Sequence, residues 1–150
     1  IAFCNPEMPF GKIERAAKIA EADGFINEMP EKYNAPISQG GKNVSGGQRQ
    51  RLCIARAVAA DAEILVFDDS FSALDYKTDK KVRENLAAEA KGVTKVVVAQ
   101  RIGTIMDADL IVVLEDGKAV GQGKHAELLK NCETYREIAL SQLSKEELGL

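Results

Sequence analysis

Residues 43–51 read N-V-S-G-G-Q-R-Q-R and residues 64–69 read I-L-V-F-D-D, and each stretch sets chemistry-bearing side chains at the expected end of a secondary-structure element. A helix N-terminus carries unpaired backbone N–H groups and about half a positive charge, so it attracts anions, phosphate above all. Gly46 and Gly47 let a phosphate come close to that backbone, and the Ser45 hydroxyl adds a donor. The same triplet also suits a plain Ser-capped helix with a Gly-rich turn, so by itself it leaves both readings open. Asp68 and Asp69 follow an apolar run. One carboxylate there can take Mg2+, usually through water, and its neighbour can orient or deprotonate an attacking water. Standing alone, the pair leaves a solvated strand end as the less favoured alternative.

These groups need elements to hold them. Ile13, Ala16, Ala17 and Ala20 recur at helical spacing, with Gly24 following, which predicts a helix over 12–22 that ends near Asp23, and a second short helix from Phe25. The stretch 29–41, with its prolines and glycines, reads as an exposed loop. A helix over 47–60, capped by Ser45, carries Leu52, Ala55 and Ala59 on one face, with Cys53 expected in the core. The run I-L-V-F at 64–67 predicts a strand buried on both faces of a parallel sheet. Val82, Leu86 and Ala90 mark a helix over 75–90, and T-K-V-V-V-A after it is a second buried strand. Strand, helix, strand makes a parallel crossover. L-I-V-V-L at 110–114, the turn Asp116-Gly117 and K-A-V-G-Q predict a β-hairpin, and helices over 126–130 and 135–143 close the chain.

Composition narrows the classes. The 150 residues are 45% hydrophobic and 29% charged, as in a chain that builds a real core. The net charge of −3 is spread without long like-charge runs, which argues against a nucleic-acid partner. Cys4, Cys53 and Cys132 are odd in number and far apart, so neither a disulfide framework nor a zinc site is expected, and all three read as reduced thiols. The apolar runs are far short of the roughly twenty residues that cross a bilayer. With no charged-then-apolar leader and no initiator Met at Ile1, the chain reads as cut from a longer protein.

Taken in order, V-S-G-G-Q-R-Q-R, A-R-A, I-L-V-F-D-D and S-A-L-D resemble the nucleotide-binding domain of ATP-binding cassette (ABC) transporters, over essentially the whole chain. E-A-D-G-F-I-N-E-M-P upstream and D-G-K-A-V-G-Q-G-K-H-A-E-L-L downstream are similar to the exporter branch, which includes multidrug and peptide exporters. The resemblance implies an α/β fold: a partial P-loop NTPase (RecA-like) core with a parallel sheet, an α-helical signature subdomain, and a C-terminal hairpin and helices. Residues 1–58 would be the helical signature subdomain and 59–150 the C-terminal half of the ATPase core. Ser45, Gly46, Gly47 and Gln48 would be the family signature, and Asp68 the magnesium-associated aspartate. Residues 72–75, ending in Asp75, would form the loop that crosses to the partner domain, and the 34–41 loop would touch membrane domains. In the family two such domains pack head to tail, so the phosphate at Ser45 would belong to the partner's ATP. The implied cofactors are ATP and Mg2+. The implied partners are a second nucleotide-binding domain and the transmembrane domains, at the cytoplasmic face of the cell membrane.

The sequence also departs from the family. The phosphate loop G-x-x-x-x-G-K-[ST] is absent, and in the family it precedes the segment that begins here, as do the adenine-stacking aromatic and the glutamine-bearing loop. Truncation upstream of Ile1 is the expected cause. The chain as given should bind ATP poorly or not at all and should leave sheet edges and core faces uncovered. Asp69 stands where the family has its catalytic glutamate, and Gln100 where it has the switch histidine. Aspartate is one methylene shorter, and a misplacement of about 1 Å can cost on the order of a hundredfold in rate. Gln100 can donate a hydrogen bond but cannot carry a proton. His125 lies too far downstream to replace it.

Asp69 is still a carboxylate, so the two changes fit tolerated drift in an active ATPase; because both catalytic positions change while the signature stays intact, the favoured expectation is a degenerate site in a heterodimeric exporter. The rivals are a regulatory half with negligible turnover and a chromosome-maintenance or repair ATPase; against the latter stand the short link from signature to strand and the exporter-like loop. Arg49, Arg51 and Arg56 are expected to pair with carboxylates, and Phe71, Tyr76 and Ser70 to be ordinary surface residues.

Overall fold

A computed structural model describes residues 1–3 and 5–149, so Cys4 lies outside the described residues. Two compact units divide the chain, Ile1–Val98 and Ala99–Leu150.

The first unit is helical before it is a sheet. Helix α1 (Phe10–Ile19) and the short α2 (Asp23–Glu28) lead through two 3-10 turns, Lys32–Asn34 and Gln39–Gly41, to α3 (Gly46–Ala59). Alanines let α1 and α3 approach closely, since Ala17, Ala20 and Ala55 are wholly buried at their contact. Strand β1 (Ile64–Asp68), helix α4 (Tyr76–Glu89) and strand β2 (Thr94–Val98) complete the crossover. The strands pair in parallel, Ile64 opposite Thr94 through Asp68 opposite Val98, and Asp69 N–H extends the ladder to Val98 O at 3.1 Å. Phe25, Ile54, Leu65, Phe67, Leu74 and Leu86 join in one core.

The expectation of strands buried on both faces is corrected. Leu65 and Phe67 point into the core, but Ile64 and Val66 are 59% and 62% exposed, and Val96 and Val98 are exposed as well. Helices of this unit cover one face of the strand pair; the other is apolar yet open, in keeping with the expected uncovered core faces. Cys53 is likewise exposed instead of core, because α3 turns Ile54 and Ala55 toward α1.

The second unit has α5 (Ile102–Ile105), the antiparallel hairpin β3 (Ile111–Glu115) and β4 (Lys118–Gly123), then α6 (His125–Asn131) and α7 (Glu133–Gln142). Asp116 and Gly117 take φ of 48° and 75°, and positive φ at both central residues is what the tight hairpin turn requires. Ile111, Val113, Leu128, Leu129 and Ala139 pack round Tyr135, whose hydroxyl lies 2.7 Å from His125 Nδ1. The four-residue α5 is not expected from the sequence, being too short to show a period. No helix among the described residues is long and apolar enough to cross a membrane.

Candidate functional site: a capped helix start and the loop after β1

Ser45 is the N-cap of α3, with extended backbone and its Oγ accepting from Gln48 N–H at 3.2 Å. Gln48 Oε1 accepts in return from Ser45 N–H at 2.9 Å. This reciprocal capping box satisfies two helix-end donors. The Ser45 oxygen accepts there, which leaves its proton able to donate to an oxyanion. Ser45 and Gly46 are exposed, and Gly47 and Gln48 partly so. The structure therefore realises the plain capping role, and the exposed turn around it keeps the geometry of an anion site.

Two arginines support this turn from behind. Arg51 Nη1 donates to Glu21 O at 2.6 Å, and its guanidinium lies 4.8 Å from the centre of the Phe25 ring. Burial pulls its pKa down, against the opposing pull of Asp75 and Glu21. Arg49 Nη1 donates to Gly40 O at 3.2 Å. The hydrogen bonds of these two arginines go to backbone carbonyls near helix and loop ends, where acceptors lack intrahelical partners, instead of to the expected carboxylates.

Asp68 and Asp69 stand exposed at the carboxyl end of β1. Asp69 takes a left-handed backbone, φ 47°, a region that Asp tolerates better than most residues. A single exposed carboxylate is a donor set that suits Mg2+ when phosphates and water supply the remaining ligands, so Asp68 fits that ion.

The loop that follows is tied down. Ser72 Oγ donates to Asp69 O at 3.0 Å, and Ser70 Oγ lies 3.3 Å from Asp68 O. Phe71 is 4% exposed and packs on Phe67 with ring centres 5.4 Å apart, so its expected surface role is corrected; the turn after β1 folds it back into the core. Tyr76 is exposed, as expected. Asp75 caps α4, its Oδ1 accepting from Thr78 N–H at 3.0 Å and Oδ2 from Thr78 Oγ1 at 2.7 Å. Those two bonds hold its carboxyl below the usual range.

The structure thus brings residues 45–48, the expected signature, and the 69–75 loop together in the first unit. Gly46 and Gly47 lie against Ala73 and Leu74. Gln100 belongs to the second unit, exposed, two residues beyond β2 in sequence. Its carbonyl accepts from Gln142 Nε2 at 2.8 Å, and Gln142 Oε1 accepts from Ile102 N–H at 2.9 Å.

Two glutamines escaped sequence reasoning. Gln50 links α3 to the loop after β1 through three bonds, and helical spacing from Gly46 and Gly47 could have placed it on that face. Gln142 lies 40 residues from Ile102, and no local signal points to it.

The family model described as ABC transporter matches residues 4–72. The chain is 46% identical, over 129 residues, to the toxin RTX-I translocation ATP-binding protein of Actinobacillus pleuropneumoniae, a match covering 86% of the chain and 18% of that protein. The chain belongs to the ABC transporter family. A second ABC transporter relative, the alpha-hemolysin translocation ATP-binding protein HlyB of Escherichia coli, is 45% identical over 134 residues, 89% of the chain and 19% of that protein. Among solved structures, a bacterial Atm1-family ABC exporter with ATP bound superposes with a TM-score of 0.91 at 34% identity, over 95% of this chain and 25% of that one. The α/β fold of P-loop NTPase type expected from the sequence is therefore the fold of this ABC transporter chain. It spans about a fifth of the length of the curated relatives it matches.

Proposed function

We propose that the chain is part of the ATP-binding domain of an ABC exporter, coupling ATP binding and hydrolysis to transmembrane export, and that it comes from the half with a degenerate catalytic site in a heterodimer. The observation that carries the degenerate reading is an asymmetry. Both positions of the chain's own hydrolytic chemistry, Asp69 and Gln100, depart from the family pattern, while the turn at 45–48 is intact and closed by a capping box. The relatives' printed names, two toxin-translocation ATP-binding proteins and an ATP-bound exporter, support export as the task.

On this reading Ser45, Gly46, Gly47 and Gln48 bind the phosphates of ATP held by a second nucleotide-binding domain. Asp68 holds Mg2+, which neutralises charge on the phosphates. Asp69 positions water weakly, Gln100 donates a hydrogen bond to the γ-phosphate, and Asp75 contacts the partner. Phosphoryl transfer asks the protein mainly for positioning and charge stabilisation, which suits a site assembled from two chains. Residues 1–58 act as the helical signature subdomain and 59–150 as the distal part of the ATPase core. Membrane domains complete the transporter at the cytoplasmic face of the membrane.

The regulatory-half alternative, ATP binding with negligible turnover, differs in degree. A chromosome-maintenance role is disfavoured by the connection between α3 and β1, which is only residues 60–63 and holds no coiled-coil insertion.

The test is steady-state ATPase activity of the complete transporter with its natural partner, before and after Asp69→Glu and Gln100→His together. Restored reach and charge raise turnover about tenfold or more. Unchanged turnover, with activity lost in Asp69→Ala, would show that Asp and Gln are working variants and sink the degenerate reading.

A further inference from the structure

The side chain of Gln50 is spent entirely on backbone and hydroxyl groups of another element. Its Nε2 donates to Asp69 O at 3.1 Å and to Ser72 Oγ at 3.0 Å, and its Oε1 accepts from Ala73 N–H at 2.8 Å. Both ends of one amide are thus satisfied by the loop after β1, a geometry that a shorter or singly functional side chain cannot reproduce. The contact is close: a β-carbon on Gly47 would meet Ala73 O at 3.1 Å, and Leu74, next in the loop, is 4% exposed in the core. Asp69 meanwhile holds a left-handed backbone, which persists only where the surroundings support it.

We propose that Gln50 is a positioning residue that locks the phosphate-binding start of α3 to the Asp69 carbonyl and the loop behind it, so that the signature turn and the end of β1 move as one piece. The proposal rests on the functional reading above, in which the turn at Ser45 meets the partner's nucleotide while Asp68 and Asp69 serve this chain's own. Gln50 then passes a displacement at one ATP to the strand end facing the other. A shift of the α3 start reaches Asp69 through one amide, without the membrane domains.

The experiment uses the complete transporter with its natural partner and ATP. Gln50→Met keeps length and removes all three bonds; Gln50→Glu keeps the acceptor for Ala73 N–H and loses both donors. Both variants lower kcat, Met by about tenfold, with KM for ATP changing less than about twofold, the signature of an interaction that acts on the transition state and not on binding. Wild-type kcat in either folded variant overturns the proposal, as does a raised KM at unchanged kcat. Where Met fails to fold, Glu carries the test. The Asp69→Glu, Gln100→His pair is measured in parallel. If that pair gains nothing while Gln50→Met still lowers kcat, the asymmetric reading falls and the lock stands; the opposite pattern removes the lock alone.

Discussion

A β-carbon placed on Gly47 would lie 3.1 Å from the carbonyl oxygen of Ala73, so the first turn of α3 is pressed against the loop that follows β1. At Gly46 the same addition meets only Ala73 Cβ at 3.7 Å, an ordinary contact. Gly46 and Gly47 therefore differ in what they tolerate. Gly46→Ala gains helix propensity, up to about 1 kcal/mol. Gly47→Ala must push a loop that Gln50 holds by Ala73 N–H, and it ends up less stable than Gly46→Ala by about 1–3 kcal/mol. Urea unfolding of the complete ATP-binding domain measures the gap, and equal midpoints would mean that the loop yields freely.

Ser45 separates capping from phosphate binding. Ser45→Ala loses the bond from Gln48 N–H and about 1 kcal/mol of stability. Ser45→Asp retains a good N-cap and a favourable charge at the helix start, so the domain unfolds near the wild-type midpoint. It also sets a carboxylate where the functional reading puts a phosphate, and transporter ATPase activity falls about tenfold or more. Normal turnover in the stable Asp variant would place the nucleotide elsewhere.

Asp75, the N-cap of α4, ties the stability of that helix start to acid pH. Its pKa is lowered from an ordinary 3.8 by accepting from Thr78 Oγ1 and N–H, so the folded state binds that proton less readily than the unfolded chain. The stabilising contribution is complete above the ordinary carboxylate range and is lost as pH falls through the lower, folded value. Asp75→Asn removes this titration. Melting temperatures followed from about pH 6 to about pH 2 decline less steeply on the acid side for the variant; parallel curves would show that the capping bonds do not depend on the charge.

In the second unit, Gly121 is enforced by crowding. A β-carbon there would come within 2.8 Å of Cys132 Sγ and 3.2 Å of Leu128 Cδ2. Gly121→Ala costs about 1–3 kcal/mol through overpacking. Adding Cys132→Ala removes the sulfur and returns part of that loss, so the double variant is more stable than the sum of the single effects predicts. Strict additivity in thermal unfolding would locate the strain elsewhere.

Helix α3 and its cap are legible in the sequence because both signals are local: Ser45 and Gln48 are three residues apart, and the apolar face repeats within the helix. The hairpin is legible for the same reason, since Asp116-Gly117 carries its own backbone preference. So is the crossover of β1, α4 and β2, whose order and apolar content suffice. The family, and with it the candidate residues Ser45, Asp68, Asp69 and Gln100, also follows from short motifs in series.

Tertiary structure alone decides which surfaces those elements use. An apolar strand such as β1 has the same composition whether one face or two are covered, and here Leu65 and Phe67 are buried while Ile64 and Val66 are not. Cys53 and Ile54 are adjacent in sequence, and only the side on which α1 packs makes one exposed and the other core. The amide of Gln50 reaches Ala73 across 23 residues and that of Gln142 reaches Gln100 across 42. Capping and periodicity act over a turn or two of chain and are written in it; partners so far apart in sequence meet only after the core has set the distance between their elements.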